Sequence, residues 1–415
     1  MERQWELLVL KPLKKLGKTV ILPLNLIVVV DALDECRAES DLPEIFRLIS
    51  GTGDLGSIRF RFFFTSRPEL YVGRFPRQFF QGRFFERNIE KVTIAADGLA
   101  LGLKNDITLF LEHELSAISR YHGSGDEWPG QLQIQDLAQK WNGLFIFAAA
   151  TCGFLAGPRL RNDEVKKRMS KIFADKIEGE SPQQILDSMY RKILYHALLE
   201  GALDDEKVSR CNFFREVVGS IVTLFDPLST IALSHLLSKQ SDSVLENLEA
   251  LSSVLSIDKG EDSTLQLLHL SFRDFLLDQS RCGREFWISQ VDAHAALLKH
   301  CLNTLSVSLQ KNICQLSDFS TLKENIDAVE IALYIPRHLQ YACPFWVPHQ
   351  LDSNEDVPCD DSKVYTFLET HFLHWVEALG LMGRLGNGVK ACVQLSDYVS
   401  GAPVSSFTMR MPKSH

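Results

Sequence analysis

The 415-residue chain lacks the sequence features that mark several protein classes. Its nine cysteines include no C-x-x-C pair, which argues against a zinc module or a disulfide framework. The longest apolar run, residues 144–157, is too short to cross a bilayer, and no signal-peptide pattern opens the sequence. A net charge of −9 argues against nucleic-acid binding by charge. We therefore expect a cytoplasmic globular protein without nucleic-acid or membrane partners.

The sequence also lacks a phosphate-binding loop of the pattern G-x-x-x-x-G-K-[ST]. LGKT at residues 16–19 resembles the end of that pattern, but Pro12 occupies the position of its first glycine. Only seven residues separate Lys18 from Leu26, too few for the helix that must follow a phosphate loop and return the chain to the sheet. We expect LGKT to form a turn between a helix and a strand.

What the chain does contain is an acidic segment of the Walker B type. LIVVVDALDE, residues 26–35, is an apolar strand that runs into Asp31, Asp34 and Glu35. In P-loop NTPases an acid at the C-terminal end of such a buried strand holds Mg²⁺, and neighbouring acids orient the attacking water. The segment therefore predicts the hydrolytic half of a nucleotide site without its phosphate-binding half.

The first hundred residues alternate between strand and helix patterns. We predict buried strands at 26–30, 58–64 and 92–95, with a helix at 43–50. Strands separated by helices imply a parallel sheet, and ligand groups lie at the carboxyl ends of its strands. This predicts that the acids and the segment 65–67 lie at the same edge of the sheet.

Arg67 follows the second predicted strand, in FRFFFTSRPEL. An arginine before proline in a loop is common and needs no function. At the edge of the sheet, however, a guanidinium can stabilise the charge of a γ-phosphate. The acids upstream, Asp31 and Asp34, favour this second interpretation.

From about residue 104 the pattern becomes helix after helix, without a fixed-period repeat. Residues 105–119 have the apolar spacing of an amphipathic helix, and residues 181–199 begin with Ser181 as an N-cap and Pro182 in the first turn. Aromatic residues of the later helices, at 291–309 and 362–382, are expected in a core. His371 and His374 lie one turn apart but have no third metal ligand at a suitable spacing, so we interpret them as structural.

His269 lies between a short apolar strand and a helix, in STLQLLHLSFRDFLLD. The residues alone favour a core histidine over a phosphate contact, because a histidine on an apolar element is usually structural. Upstream, residues 211–237 predict two helices joined by a proline turn, and a further helix follows. Three helices and a short β pair have the outline of a winged-helix domain.

Five segments, in this order, resemble the NACHT module of fungal signal-transduction ATPases with numerous domains: LIVVVDALDEC, FFFTSRPEL, WNGLFIFAAATC, FDPLSTIAL and LLHLSFRDFLLD. These ATPases are related to vegetative-incompatibility proteins and, more distantly, to animal inflammasome receptors. The resemblance covers roughly residues 1–285, and the tail resembles the helical region that follows the module. It implies a P-loop NTPase fold that uses ATP/ADP (or GTP) with Mg²⁺.

The resemblance also implies a role for each matching residue. Asp31 would bind Mg²⁺ through water, Asp34 and Glu35 would position or activate the hydrolytic water, and Arg67 would be the sensor. Gly143 and Leu144 would lie where the helical domain approaches the base. For His269 the resemblance reverses the interpretation as a core residue: it would touch the β-phosphate of ADP and hold the module closed.

The expected architecture is α/β followed by all-α. The expected domains are a partial P-loop NTPase sheet lacking the P-loop strand (1–103), a helical domain (104–200), a winged-helix domain (201–285), a helical domain (286–400) and a disordered tail (401–415). Because the phosphate loop is absent, we expect poor nucleotide affinity and an exposed apolar edge near the first strand.

Three explanations of that absence stay open: a truncated gene, a decayed paralogue, or a partner chain that supplies the missing part. Two classes of function also stay open. One is a nucleotide-dependent signalling switch that is weak or inactive as an NTPase. The other is a non-catalytic helical interaction protein, with full-length homologues or itself as partner. A DExx-type helicase fragment, suggested by Asp34 and Glu35, is disfavoured because no basic strand-binding segments accompany it.

Overall fold

The computed structural model describes residues 2–19, 24–31, 41–50, 58–65, 96–122, 128–140, 145–156, 160–173, 181–257, 264–318, 323–354 and 362–401. The chain is mostly helical and divides into two compact units, Met1–Ala95 and Ala96–His415. Within the described ranges, no helix is both long enough and apolar enough to span a bilayer.

The described part of the first unit contains helices and two strands. Its elements are α1 Glu2–Trp5, a π-helical segment Glu6–Leu10, α2 Lys11–Thr19, β1 Leu24–Val30, α3 Asp41–Ser50 and β2 Ile58–Phe64. The strands β1 and β2 are parallel, with Leu24 opposite Ile58 and Val30 opposite Phe64. The predicted parallel pairing is therefore confirmed for these two strands. The third predicted strand, 92–95, falls outside the described residues.

The burial of β1 differs from the prediction. Ile27 and Val29 are 67% and 62% exposed, whereas Leu26, Val28 and Val30 are half-buried. A parallel strand is buried on both faces only where helices cover both sides of its sheet. An unbroken apolar sequence shows that either face can be buried, but it does not show which face is covered. Among the described strands β1 pairs with β2 alone, so the edge predicted to be exposed has no described partner strand, and one apolar face of β1 is exposed as well.

Over its described ranges, the second unit contains helices and one short strand pair. Its first part comprises α4 Ala96–His122, α5 Gln131–Lys140, α6 Phe145–Leu155, α7 Asn162–Phe173, α8 Pro182–Leu194 and a π-helical segment Tyr195–Leu199. The middle part comprises α9 Asp204–Thr223, α10 Thr230–Leu236, α11 Ser241–Glu249, β3 Leu255–Ser256, β4 Gln266–Leu267, α12 Leu270–Leu277 and α13 Gln279–Cys282. The last part comprises α14 Gln290–Ser308, a 3₁₀ turn Lys323–Asn325, α15 Ala328–Tyr334, α16 Arg337–Asp352, α17 Lys363–Leu381 and α18 Leu385–Gly401.

Helical periodicity predicted the first helices of this unit well. The apolar face of α4 is buried at Ile107, Leu111, Leu115 and Ile118, although the helix begins at Ala96 rather than near residue 105. Helix α8 begins with a capping box, in which the Ser181 hydroxyl accepts from the Gln184 N–H and the Gln184 side chain accepts from the Ser181 N–H.

The middle part has the predicted order of elements. Helices α9 and α10 flank Pro227, α11 follows, and β3 pairs antiparallel with β4, placing Leu255 opposite Leu267. An isolated antiparallel bridge joins Ser229 to Thr264. Helix α6 approaches this region closely, since a Cβ added at Gly153 would lie 2.8 Å from Ser253 Cα.

The C-terminal helices share a core rich in aromatic rings. Trp375 and Trp346 are each 1% exposed, their rings are 5.8 Å apart, and Trp375 Nε1 donates to the Cys343 carbonyl at 2.8 Å. The expected burial of this aromatic stripe is confirmed at Trp375 and Phe367. Most of the tail predicted to be disordered, residues 402–415, lies outside the described residues.

A buried hydrogen-bond relay crosses α16 and α14. The Phe225 N–H donates to Tyr341 Oη at 3.2 Å, Tyr341 Oη lies 2.8 Å from His349 Nε2, and His349 Nδ1 lies 2.8 Å from His294 Nδ1. Burial, with His294 as a second cause, holds the pKa of His349 well below its usual range. Both imidazoles are therefore neutral at pH 7, and each can accept one bond and donate another.

Candidate functional site

The carboxyl ends of β1 and β2 bring two oxygen-bearing side chains together. Because Val30 pairs with Phe64, the next residues, Asp31 and Thr65, lie side by side. The Thr65 N–H donates to the Val30 carbonyl at 3.1 Å, which extends the parallel ladder by one bond. The Thr65 hydroxyl donates to Asp31 Oδ1. The predicted position of Asp31, at the strand end beside Thr65, is confirmed, whereas residues 66 and 67 lie outside the described residues.

The chemistry of this pair suits a hydrated Mg²⁺ ion. Asp31 is exposed, and its carboxylate is oriented by the Thr65 hydroxyl. Mg²⁺ takes oxygen ligands, keeps several of its waters and is usually held by one or two carboxylates together with substrate phosphates. The residues present therefore fit the metal. The described residues contain no group of three or more His, Cys, Asp or Glu that could form a complete protein cage.

The residues LGKT do not form a phosphate loop, and the turn predicted for them is wrong. They are the last residues of α2, where Gly17 is buried and the Thr19 hydroxyl donates to the Leu16 carbonyl at 2.8 Å. Backbone N–H groups inside a helix donate to carbonyls one turn earlier. A phosphate loop instead directs its N–H groups towards the ligand. The helix α2 continues through this segment to Thr19. The short spacing between Lys18 and β1 excluded a phosphate loop, but it did not show that these residues are helical.

Five of the predicted site residues cannot be placed by the structure. Asp34, Glu35, Arg67, Gly143 and Leu144 all lie outside the described residues. Their roles stay predictions.

His269 lies at the surface of the second unit, where it caps α12. Its Nδ1 accepts from the Ser271 N–H at 3.1 Å and lies 2.6 Å from the Ser271 hydroxyl. The side chain is exposed, so the interpretation as a core histidine is wrong. That interpretation rested on the apolar neighbours, but a residue at a strand-to-helix junction can point away from the face that they bury.

A buried tyrosine supports this histidine. Tyr190 on α8 is 1% exposed, and its Oη lies 2.8 Å from Ser271 Oγ. Burial raises the pKa of Tyr190 to about 12, so its phenol stays protonated and can donate to Ser271, which in turn can donate to His269. Because Nδ1 is an acceptor, the neutral His269 ring carries its proton on Nε2. Nε2–H is the kind of donor that a phosphate contact requires.

The cleft beside His269 is small. It measures about 10 Å³, and Tyr190, Phe272 and Leu268 are among the residues that line it. This is room for about one water molecule. His269 is therefore a surface donor rather than part of a ligand cavity of the second unit.

Sequence reasoning placed Thr65 at the same sheet edge as Asp31 but gave it no role, and it missed Ser271 and Tyr190 as site residues. Ser271 at the helix start was visible, but its bond to Tyr190 joins residues 81 positions apart. No local pattern predicts that contact.

Comparison with known proteins finds one matching family model and a curated relative. A family model described as "Nephrocystin 3, N-terminal" matches residues 1–67, the part of the chain that contains Asp31 and Thr65. The chain is 23% identical over 393 residues to "Vegetative incompatibility protein HET-E-1" of Podospora anserina. The alignment covers 88% of this chain and 26% of that protein. No solved structure matches.

The similarity to HET-E-1 confirms the expected likeness to a vegetative-incompatibility protein. Because the alignment covers 88% of the chain, it extends over both compact units. The chain spans about a quarter of the length of HET-E-1.

Proposed function

We propose that this chain is a nucleotide-dependent signalling switch module of the NACHT type, similar in role to part of a heterokaryon-incompatibility protein. The observation that carries the proposal is the bonded pair of Asp31 and Thr65 at the carboxyl ends of two parallel strands. Such strand ends are where nucleotide-binding α/β folds hold the metal and the phosphates. The similarity to HET-E-1 across both units supports the same conclusion.

In this proposal, the acids act on the nucleotide. Asp31 holds Mg²⁺ through water, with Thr65 fixing its carboxylate, while Asp34 and Glu35 position the hydrolytic water. Arg67 senses the γ-phosphate charge. Mg²⁺, when bound, neutralises phosphate charge and orients the nucleotide. ATP/ADP and GTP are both compatible with these groups.

The second unit supplies the response to the nucleotide. We propose that α9, α10, α11 and the β3–β4 pair form a winged-helix domain, because three helices and an antiparallel pair occur there in that order. His269 follows β4 and donates from Nε2 to the β-phosphate of ADP. Gly143 and Leu144 approach the base. A contact of this kind stabilises whichever conformation it occurs in, which is how a bound nucleotide shifts a two-state equilibrium.

The 415 residues contain no phosphate loop, so we propose that on their own they bind nucleotide weakly and hydrolyse it slowly or not at all. In these folds, the backbone N–H groups and the lysine of a phosphate loop make most of the contacts that bind the phosphates. In calorimetry, this chain should show no saturable binding of Mg·ADP or Mg·ATP at micromolar concentrations. Micromolar binding of either nucleotide that Asp31→Ala abolishes would contradict the proposed weak binding.

A second candidate function is a non-catalytic interaction protein, with full-length homologues or another copy of itself as partner. One surface favours it: Leu385, Val389 and Val393 follow a four-residue spacing along α18 and are 51%, 67% and 55% exposed. Large apolar side chains aligned on one helix face are typical of protein contacts. Light scattering of wild type and Val389→Glu tests whether another copy of this chain is that partner. A dimer lost in Val389→Glu supports the interaction protein, and a monomer in both excludes self-association through this face.

A further inference from the structure

The second unit has a groove of about 650 Å³ that belongs to neither cluster described above. Its walls come from the end of α7, the last turn of α8, the π-helical segment Tyr195–Leu199 and the chain at and after α13. Ligand sites in proteins commonly measure roughly 300–1,000 Å³. The groove is thus large enough for a small organic molecule, in contrast to the cleft beside His269.

The groove is basic, although the whole chain carries a net charge of −9. Three cations line it, Lys171, Arg191 and Lys192, against one lining carboxylate, Glu285, and Lys171 also pairs with Glu200 at 3.2 Å. Arg191 Nε donates to the Arg281 carbonyl at 2.7 Å. A carbonyl fixes the position of the guanidinium but does not neutralise its charge, and this bond uses one of its five N–H groups. Arg191 is therefore an ordered cation at the groove wall, which suits recognition of an oxyanion.

The π-helical segment shapes the same wall. The Glu200 N–H donates to the Tyr195 carbonyl at 2.9 Å, a bond that spans five residues instead of four. Such turns are rare inside helices and frequently occur at functional sites. Here the wide turn follows directly after Arg191 and Lys192 and places Tyr195 and His196 in the groove lining.

The lining also has an apolar part. Tyr195 is 53% exposed, and Phe286 lines the groove although it is largely buried. Cys282 is buried as well, and burial raises its pKa to about 11, so its thiol is neutral at pH 7. A neutral thiol is a poor nucleophile. The groove therefore has the composition of a binding site rather than of a covalent catalyst.

From the cavity, its fixed cation and its aromatic wall, we propose that this groove binds a small amphipathic anion, an apolar or aromatic body that carries one phosphate or carboxylate group. The anionic group contacts Arg191, with Lys171 and Lys192 nearby, and the body packs against Tyr195. The inference is independent of the proposed nucleotide switch.

Binding here would also stabilise the packing of α8 against α13. The Arg281 guanidinium of α13 donates to Asp187 of α8 at 2.8 Å, and the Arg191 bond to the Arg281 carbonyl joins the same two helices. A ligand that touches both walls favours the conformation in which they lie together. The groove is thus a site through which a small anion can regulate the second unit.

The test is titration calorimetry of the whole chain with phenyl phosphate, compared with inorganic phosphate and with phenol. Phenyl phosphate should bind saturably and about tenfold more tightly than either fragment, because it combines the anionic and the aromatic contact. Arg191→Gln should lower the affinity for phenyl phosphate about tenfold or more. Arg161→Gln removes the same charge from an 84% exposed side chain outside the groove lining and should change nothing.

Tyr195→Ala provides a second variant that should fold, since this side chain is half exposed. It should lower the affinity for phenyl phosphate and leave the affinity for inorganic phosphate unchanged. Two results would overturn the proposal: no saturable binding of phenyl phosphate to the wild-type chain, or equal affinities in wild type, Arg191→Gln and Tyr195→Ala.

Discussion

The two compact units differ in how their apolar residues are used. In the described part of the first unit, Gly17 is the only buried residue of α2, and β1 leaves Ile27 and Val29 more than half exposed. In the second unit, one continuous core extends from Ile107 on α4 to Ala391 on α18. The metal-binding chemistry proposed for Asp31 thus lies at the end of a strand with one exposed apolar face, whereas the helical unit has a continuous core.

From this comparison we expect the largest losses of stability when a large buried side chain of the second unit is replaced by alanine. Trp375→Ala should lower the free energy of unfolding by about 3–5 kcal/mol, because it opens a cavity beside Trp346 and leaves the Cys343 carbonyl without its indole donor. Denaturation in urea measures the loss. Leu373→Ala, on the same helix but 71% exposed, should cost less than about 0.5 kcal/mol. Equal costs would contradict the packing described for α17.

Close packing in this unit should also exclude a single added methyl group. A Cβ at Gly153 would lie 2.8 Å from Ser253 Cα, a backbone atom that cannot move without shifting its segment. Gly153→Ala should therefore cost about 1–3 kcal/mol.

Gly386→Ala is the matched control for that substitution. A Cβ at Gly386 meets nothing within 4 Å, and alanine favours helix by up to about 1 kcal/mol. It should be neutral or stabilising in the same urea experiment. Destabilisation by both alanines would indicate a backbone effect instead of a packing effect.

The histidine relay predicts that acid destabilises the second unit. His349 has a folded-state pKa well below the unfolded value of 6.5, so the unfolded chain binds the proton first. Its contribution is fully present above pH 6.5 and is lost as the pH falls from there towards the folded pKa. Between pH 7.5 and 5.5 this histidine should account for a loss of up to about 1.4 kcal/mol.

His349→Gln isolates the contribution of this histidine to the pH dependence of stability. The variant should be less stable at pH 7.5 and should show a shallower decrease in stability between pH 7.5 and 5.5. His113→Gln, whose side chain is 77% exposed, should keep the wild-type slope. An unchanged slope in His349→Gln would show that the relay is not responsible for the pH dependence.

The smallest effect is expected on the exposed face of β1. Ile27→Thr and Val29→Thr replace exposed apolar side chains by a residue that also favours strands, so each should change stability by less than about 0.5 kcal/mol. Losses above 1 kcal/mol would show that this face is covered in solution, and the contrast between the units would then be smaller than described.

Local patterns predicted the elements but not their long-range contacts. Amphipathic spacing located α4 and α8, and the Ser181 cap was readable from the sequence because a capping box is local. The apolar run before Asp31 gave the strand and the acid at its end. Since every residue of that run is apolar, its sequence could not tell the covered face from the exposed one.

The candidate site was harder to predict where distant residues meet. The bond between Asp31 and Thr65 depends on the register of two strands, and the support of His269 depends on Tyr190 from another helix. The exposure of His269 depends on where the chain turns after β4. These features follow from tertiary packing, which composition and periodicity do not encode.

The central claim is that the end of β1 holds a metal–nucleotide complex through Asp31. It is tested most directly by paramagnetic broadening of methyl NMR signals with Mn·ADP at millimolar concentration, where Mn²⁺ replaces Mg²⁺. The account predicts that the methyl signals of Val30 and Thr65 broaden strongly, that those of Leu24 at the opposite end of β1 broaden less, and that Asp31→Asn abolishes the effect. Equal broadening in wild type and Asp31→Asn, or none at Val30 and Thr65, would contradict it.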